Sequence, residues 1–184
     1  MTEESIPEIF LQTGDFHFGN GRVRLRTLLG SCVALTLWHP HKRLGGMCHY
    51  LLPSRGNGIG AEQSPAGFYA DEVIELLSRE AQSARTQPRD FIVKLFGGGN
   101  MFDQNLQQKG CAPEQCVPGN RGRCRIVPCR NVLAAQELLK SSGFTVHSAD
   151  TGGNCSRQVM MDLWSGDVWL RHGRSFSNAV RRLA

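Results

Sequence analysis

No run in this 184-residue chain approaches the ~20 apolar residues that a membrane-crossing helix needs. The opening residues Met1-Thr2-Glu3-Glu4-Ser5-Ile6-Pro7 are acidic and polar, which excludes a basic, apolar secretory leader and predicts a cytoplasmic protein. In that compartment cysteines remain mostly thiols, and seven of them, an odd number, cannot all pair within the chain. The triple glycine Gly97-Gly98-Gly99 lacks the Gly-Lys-Ser/Thr that would complete a phosphate loop, so close backbone packing is its better use. No repeat and no linker divides the chain, which predicts one domain over residues 1–184 with residues 1–8 and 173–184 as tails. The net charge is +5, but no helix-turn-helix or RNA-binding signature accompanies the basic residues gathered in 121–130 and 171–182. A solvated basic surface is expected, not nucleic-acid binding.

What is present is a chain that is 40% hydrophobic and 20% charged, the balance of a globular protein able to bury a core. It is organised around Leu28-Leu29-Gly30-Ser31-Cys32-Val33-Ala34-Leu35-Thr36-Leu37-Trp38. The apolar, β-branched run after Cys32 predicts a buried strand, and Gly30, free to take φ > 0, a sharp turn into it. A second segment, Leu44-Gly45-Gly46-Met47-Cys48-His49-Tyr50-Leu51-Leu52-Pro53, has the same character and carries a His. Joined through the turn at residues 38–43, the two strands would set Cys32 beside His49, a thiol with its base. A lone Cys on an apolar strand is more often a small buried hydrophobe. The Gly-Ser before Cys32 and the glycines flanking the second strand favour access instead.

Elsewhere, Phe16 and Phe18 mark a short strand ending at Asn20-Gly21, and Val23, Leu25 and Thr27 alternate with Arg22, Arg24 and Arg26 in a half-buried strand. Residues 54–65 form a Gly/Ser/Pro loop, residues 67–84 an amphipathic helix, and Phe91 to Phe96 a buried strand. A helix starts at Asn131 with Gly143 just past its end, a strand follows over 144–148, and a turn over 150–154. Residues 159–164 and 167–170 form a hairpin, and the basic tail is helical from Phe176. His39 and His41 read as exposed turn residues, and His17, His147 and His172 have no evident partners. Cys111, Cys116, Cys124 and Cys129 are spaced Cys-x4-Cys-x7-Cys-x4-Cys, unlike a zinc ribbon; loop thiols, a zinc clip and a disulfide clip all remain open. The element count predicts an α/β (α+β) domain, a layered mixed sheet with flanking helices.

Thr27-Leu28-Leu29-Gly30-Ser31-Cys32-Val33-Ala34, Gly45-Gly46-Met47-Cys48-His49-Tyr50-Leu51-Leu52-Pro53 and Lys94-Leu95-Phe96-Gly97-Gly98-Gly99-Asn100-Met101-Phe102 closely resemble motifs of the CheD family, the chemoreceptor glutamine deamidases. The resemblance continues through Arg130-Asn131-Val132, Asp150-Thr151-Gly152-Gly153 and Gly166-Asp167-Val168-Trp169-Leu170, from about Gly14 to Arg171. It implies layered sheets with helices outside, similar to the deamidase domain of cytotoxic necrotizing factor toxins. It also implies hydrolysis of glutamine side-chain amides to glutamate in methyl-accepting chemotaxis receptors, with release of ammonia.

In that reading Cys32 attacks the carboxamide as a thiolate, its pKa lowered by an adjacent imidazolium. The backbone N–H groups of Gly30 to Cys32 receive the oxyanion, with Gly30 and Ser31 as support, and His49 serves as acid and then base. Thr27 matches the family's third residue, with one residue fewer before the Cys than the family pattern; Ser31 is the other candidate orienter. No metal or organic cofactor is required. A CheC-type phosphatase is a further partner that the resemblance implies. The alternative is a non-catalytic regulatory scaffold binding chemotaxis components, in which Cys32 would be unreactive.

Overall fold

The structure, a computed structural model, describes residues 5–55, 66–101, 126–173 and 181–183. Two five-stranded mixed sheets stack face to face, and two helices lie on the far side of the second. The first sheet runs β1 (Glu8–Phe10), β3 (Arg24–Leu29), β8 (Ser156–Asp162), β9 (Val168–Gly173), β10 (Arg181–Leu183). The second runs β2 (Phe16–Asn20), β5 (Leu44–Tyr50), β4 (Val33–His39), β6 (Ile92–Gly97), β7 (Val146–Thr151). Only β1/β3 and β6/β7 pair in parallel. The helices are α1 (Ala70–Ser83) and α2 (Val127–Ser141). The predicted α+β class with a layered mixed sheet and flanking helices is what the chain adopts.

Hydrophobic patterning explains the layers. In β3 only alternate residues, Leu25, Thr27 and Leu29, are buried, because no layer of described residues covers the outer face of the first sheet. In β4 nearly every residue is buried, because the second sheet is covered on both sides. Leu25, Leu29, Val159 and Met161 meet Ala34, Met47 and Phe96 between the sheets. On the opposite face Val33, Leu35, Leu37, Cys48 and Tyr50 meet Val73, Ile74 and Leu77 of α1 and Val132 and Leu139 of α2. Full burial of such side chains contributes about 1.5–3 kcal/mol apiece. Arg24 and Asp162, opposite one another in the β3–β8 ladder, form a two-pronged ion pair at 2.6 and 3.0 Å.

Several boundaries differ from expectation. The short strand does end at Asn20, and because β2 pairs with β5 the Asn20-Gly21 turn carries the chain from one sheet to the other. α1 starts at Ala70 after a short 3-10 turn, Ala66–Phe68. α2 starts at Val127, not Asn131, because Pro128 is tolerated in a helical first turn where its missing N–H costs nothing. Cys129 is therefore a buried helix residue packed with Leu133, not a loop thiol. The strand expected over 144–148 runs Val146–Thr151, taking in two residues of the expected turn. Arg181–Leu183 forms a strand against β9 rather than part of a helix. Cys111, Cys116 and Cys124 and most of the 54–65 loop lie outside the described residues.

Candidate active site

β4 and β5 pair antiparallel with Ala34 opposite His49. Cys32, two residues before Ala34, and His49 thus come to the same end of the face that looks toward the first sheet, and Cys32 packs against the inter-sheet core. Tight turns then hold the thiol. The Gly98 N–H donates to the Cys32 carbonyl (2.8 Å) and the Gly99 N–H to the Gly30 carbonyl (2.9 Å). Gly97 and Gly98 have φ of +111° and +66°, and a Cβ on Gly97 would collide with the Cys32 carbonyl. The triple glycine is thus a backbone clamp on the Gly-Ser-Cys turn. The left-handed conformation anticipated for Gly30 falls on these residues instead; Gly30 is small because Met101 lies against it.

Asn131, fully buried near the start of α2, donates through Nδ2 to the Leu51 carbonyl (2.7 Å) and lies 3.5 Å from the Ser31 carbonyl. Among the described residues no backbone carbonyl takes the N–H groups of Ser31 or Cys32, so both are available as donors beside the thiol.

His49 is only 4% exposed, and the first sheet supplies its anchor. Thr27 Oγ1 donates to the Leu11 carbonyl (2.7 Å) and sits 2.8 Å from His49 Nδ1. A hydroxyl has one proton, and here Leu11 takes it, so Nδ1 must be the donor to Thr27. The tautomer follows: Nε2 carries the lone pair. That nitrogen faces Thr13 Oγ1 at 3.3 Å. The His49 backbone is also held, its carbonyl by the Gly14 N–H (2.7 Å) and its N–H by the Asp15 carbonyl (3.0 Å).

The electrostatics depart from the simple thiolate expectation. Burial pushes the Cys32 thiol up, partly offset by hydrogen bonding from the Thr13 and Ser31 hydroxyls. Burial pushes His49 below its ordinary value, opposed by the Leu11 carbonyl and the Asp15 carboxylate. Desolvation outweighs pairing at both groups, which favours the neutral thiol and the neutral imidazole over a preformed ion pair. Such an imidazole is a competent base.

The structure brings Cys32, His49, Thr27, Gly30 and Ser31 together. Ser31 turns its hydroxyl to the thiol, and Thr27, not Ser31, bonds His49. Thr13 and the Leu11 carbonyl were missed; a lone Thr carries no motif, and the neighbouring Gly14 was the only hint. Other histidines correct expectation. His39 is buried and packs edge-on against Phe91 with centroids 5.3 Å apart. His147 Nδ1 accepts from the Val93 N–H (3.2 Å), and His172 Nε2 lies 3.1 Å from Asp150.

Residues 51–172 match the family model described as CheD chemotactic sensory transduction, a span that begins just after His49. A Pseudomonas syringae pv. syringae protein named probable chemoreceptor glutamine deamidase CheD is 41% identical over 171 residues, 93% of this chain and 88% of that protein. A Pseudomonas fluorescens protein of the same name is 43% identical over 165 residues, 90% of this chain and 84% of its own. Alignments of that extent take in both Cys32 and His49. Among solved structures, a Bacillus licheniformis hypothetical protein, YfiH, gives a TM-score of 0.44 at 12% identity, covering 74% of this chain and 50% of that one. No helix among the described residues is long and apolar enough to cross a membrane. With a family match over more than half its length and relatives above 40% identity across nearly all of it, the chain belongs to the CheD family.

Proposed function

We propose that this protein hydrolyses glutamine side-chain amides of chemoreceptors to glutamate and ammonia, with Cys32 as nucleophile and His49 as general base and acid. The observation that carries this reading is the imidazole pinned between two sheets, its Nδ1 committed to Thr27 and its Nε2 turned to the Cys32 end of the site. His49 removes the thiol proton as the sulfur attacks the carboxamide carbon, so thiolate forms with the reaction rather than before it. The Ser31 and Cys32 N–H groups receive the oxyanion. The tetrahedral intermediate collapses as His49 returns its proton to the leaving ammonia. His49 then takes a proton from water as it attacks the thioester, and glutamate leaves. Thr27, by holding Nδ1–H, keeps Nε2 as the nitrogen that takes up and returns the proton.

The name of the relatives supplies the substrate class, and the family resemblance adds a CheC-type phosphatase as a partner. The test incubates a receptor cytoplasmic fragment with wild type, Cys32→Ala and His49→Ala, reading ammonia release and the glutamine-to-glutamate mass change. Conversion falling by about 10³-fold or more in both variants is the expected result. Conversion undiminished by Cys32→Ala would remove the mechanism. The elevated thiol is also what a regulatory scaffold would tolerate. Absence of conversion by wild type on its own receptors would favour that role.

A further inference from the structure

We propose that the Thr13 hydroxyl is the proton relay between the Cys32 thiol and His49 Nε2. This rests on the reading of Cys32 as nucleophile and His49 as base. The hydroxyl that meets Nε2, at 3.3 Å, is Thr13's, and the same hydroxyl interacts with the Cys32 thiol. With Nδ1–H donated to Thr27, the Nε2 lone pair accepts the Thr13 proton, and Thr13 Oγ1 is left to accept from the thiol.

The transfer balances without a further reactant. The Cys32 S–H bond breaks as a Thr13 O–H bond forms, while the original Thr13 O–H bond breaks as Nε2–H forms. Thiol and imidazole become thiolate and imidazolium, and Thr13 ends as it began, its hydroxyl now donating to the thiolate. The charged group acting on this pair is Asp15, which favours the imidazolium; the thiol feels burial and hydroxyls.

Thr13 is also held in place by a turn built around it. The Asp15 carboxylate accepts from the Gln12 N–H (2.7 Å), and the Asp15 N–H donates to the Gln12 carbonyl (3.0 Å). Gly14 adopts φ +92°, with the Phe68 ring where a Cβ would stand, and its N–H binds the His49 carbonyl at 2.7 Å. The residue on either side of Thr13 is thereby tied down, and Asp15 binds the His49 N–H, so the hydroxyl is positioned by the backbone of the residue it serves. A β-branched side chain at this tip has few rotamers to lose.

The test follows alkylation of Cys32 by iodoacetamide, read by peptide mass spectrometry from about pH 6 to about pH 9, beside receptor-fragment deamidation. Thr13→Val, nearly isosteric but without the hydroxyl, is expected to lower both the neutral-pH alkylation rate and kcat by about tenfold or more with KM unchanged, and to move the alkylation profile to higher pH. Thr13→Ser is expected to remain within about threefold of wild type; Thr13→Ala, should valine disturb the turn, is expected to match Thr13→Val. Wild-type rate and profile in Thr13→Val or Thr13→Ala, or a Thr13→Ser variant as impaired as they are, would overturn the relay. The two levels separate cleanly. Loss of turnover in Cys32→Ala and His49→Ala with none in Thr13→Val removes only the relay, whereas full turnover by Cys32→Ala removes the underlying reading and the relay with it.

Discussion

The two faces of the second sheet are built from the same strands and do different work. Along β5 the alternation sends Cys48 and Tyr50 into the helix layer and Met47 into the sheet–sheet layer, the face that His49 shares. The helix-side face is closed and almost wholly apolar; there the Cys48 thiol is fully buried and pushed up to about 12, with nothing to activate it. The inter-sheet face admits buried polar groups, Thr27, Thr36 and His49 among them. At its open end lies Cys32, half-buried, with the Thr13 and Ser31 hydroxyls and its own backbone N–H hydrogen-bonding the thiol. Two cysteines on one sheet thus have opposite prospects. Which face a residue occupies, and whether that face ends in an opening, decides whether a thiol is filler or reagent.

Perturbing each face should therefore have separable effects. The largest stability effect is expected on the helix side. Phe91 is 1% exposed and its ring meets those of Phe18, His39 and Phe144. Phe91→Ala should cost about 3–5 kcal/mol in urea unfolding while the folded fraction keeps its specific activity. Matching losses of stability and specific activity would show that the site depends on the helix layer more closely than the geometry indicates.

On the other face the balance reverses. Thr27→Val strips the bond to His49 Nδ1 and the hydroxyl that donates to the Leu11 carbonyl. It should cost only about 1–3 kcal/mol of stability. Activity should nevertheless fall about tenfold or more, because Nε2 is no longer fixed as the acceptor. Thr27→Ser should recover most of it.

The smallest effect is on pH dependence. His49 and His17 lie below their ordinary value of 6.5 through burial, so between that value and their folded pKa the unfolded chain binds protons the folded chain does not. Their contribution is complete above 6.5 and is lost as pH falls. Cys32 and Cys48 lie above 9.0, so the folded chain holds protons that the unfolded chain releases, and stability declines as pH rises past that value. A stability plateau between pH 6.5 and 9.0, read as the urea midpoint across pH, is expected, and His49→Gln should flatten its acid edge. An acid edge unchanged by that substitution would assign it to other groups.

Much of this was legible in the chain. The central strands β4 and β5 and the two helices announce themselves through apolar periodicity, because covered faces demand apolar residues at fixed spacing. Cys32 and His49 were legible because the turn between β4 and β5 makes their meeting a local matter. The triple glycine signalled close packing, although not what it clamps. Boundaries were less legible: the helix expected from Asn131 starts at Val127, and the strand expected over 144–148 runs Val146–Thr151.

The sequence by itself determined which strands would be buried, where the proposed nucleophile and base would lie along them, and, through family motifs, what reaction to expect. Only the tertiary structure decided the state of the site. Thr27 reaches His49 from the other sheet, and the Leu11 carbonyl, by taking the Thr27 proton, sets the imidazole tautomer. Thr13 meets Nε2 because a turn more than thirty residues upstream is folded onto the His49 backbone. Burial, which no local pattern measures, favours the neutral thiol and imidazole where the family resemblance implied a thiolate beside an imidazolium. The physical reason is that periodicity encodes contacts between near neighbours and a face, whereas tautomer, desolvation and proton path depend on which distant segments arrive at the same point.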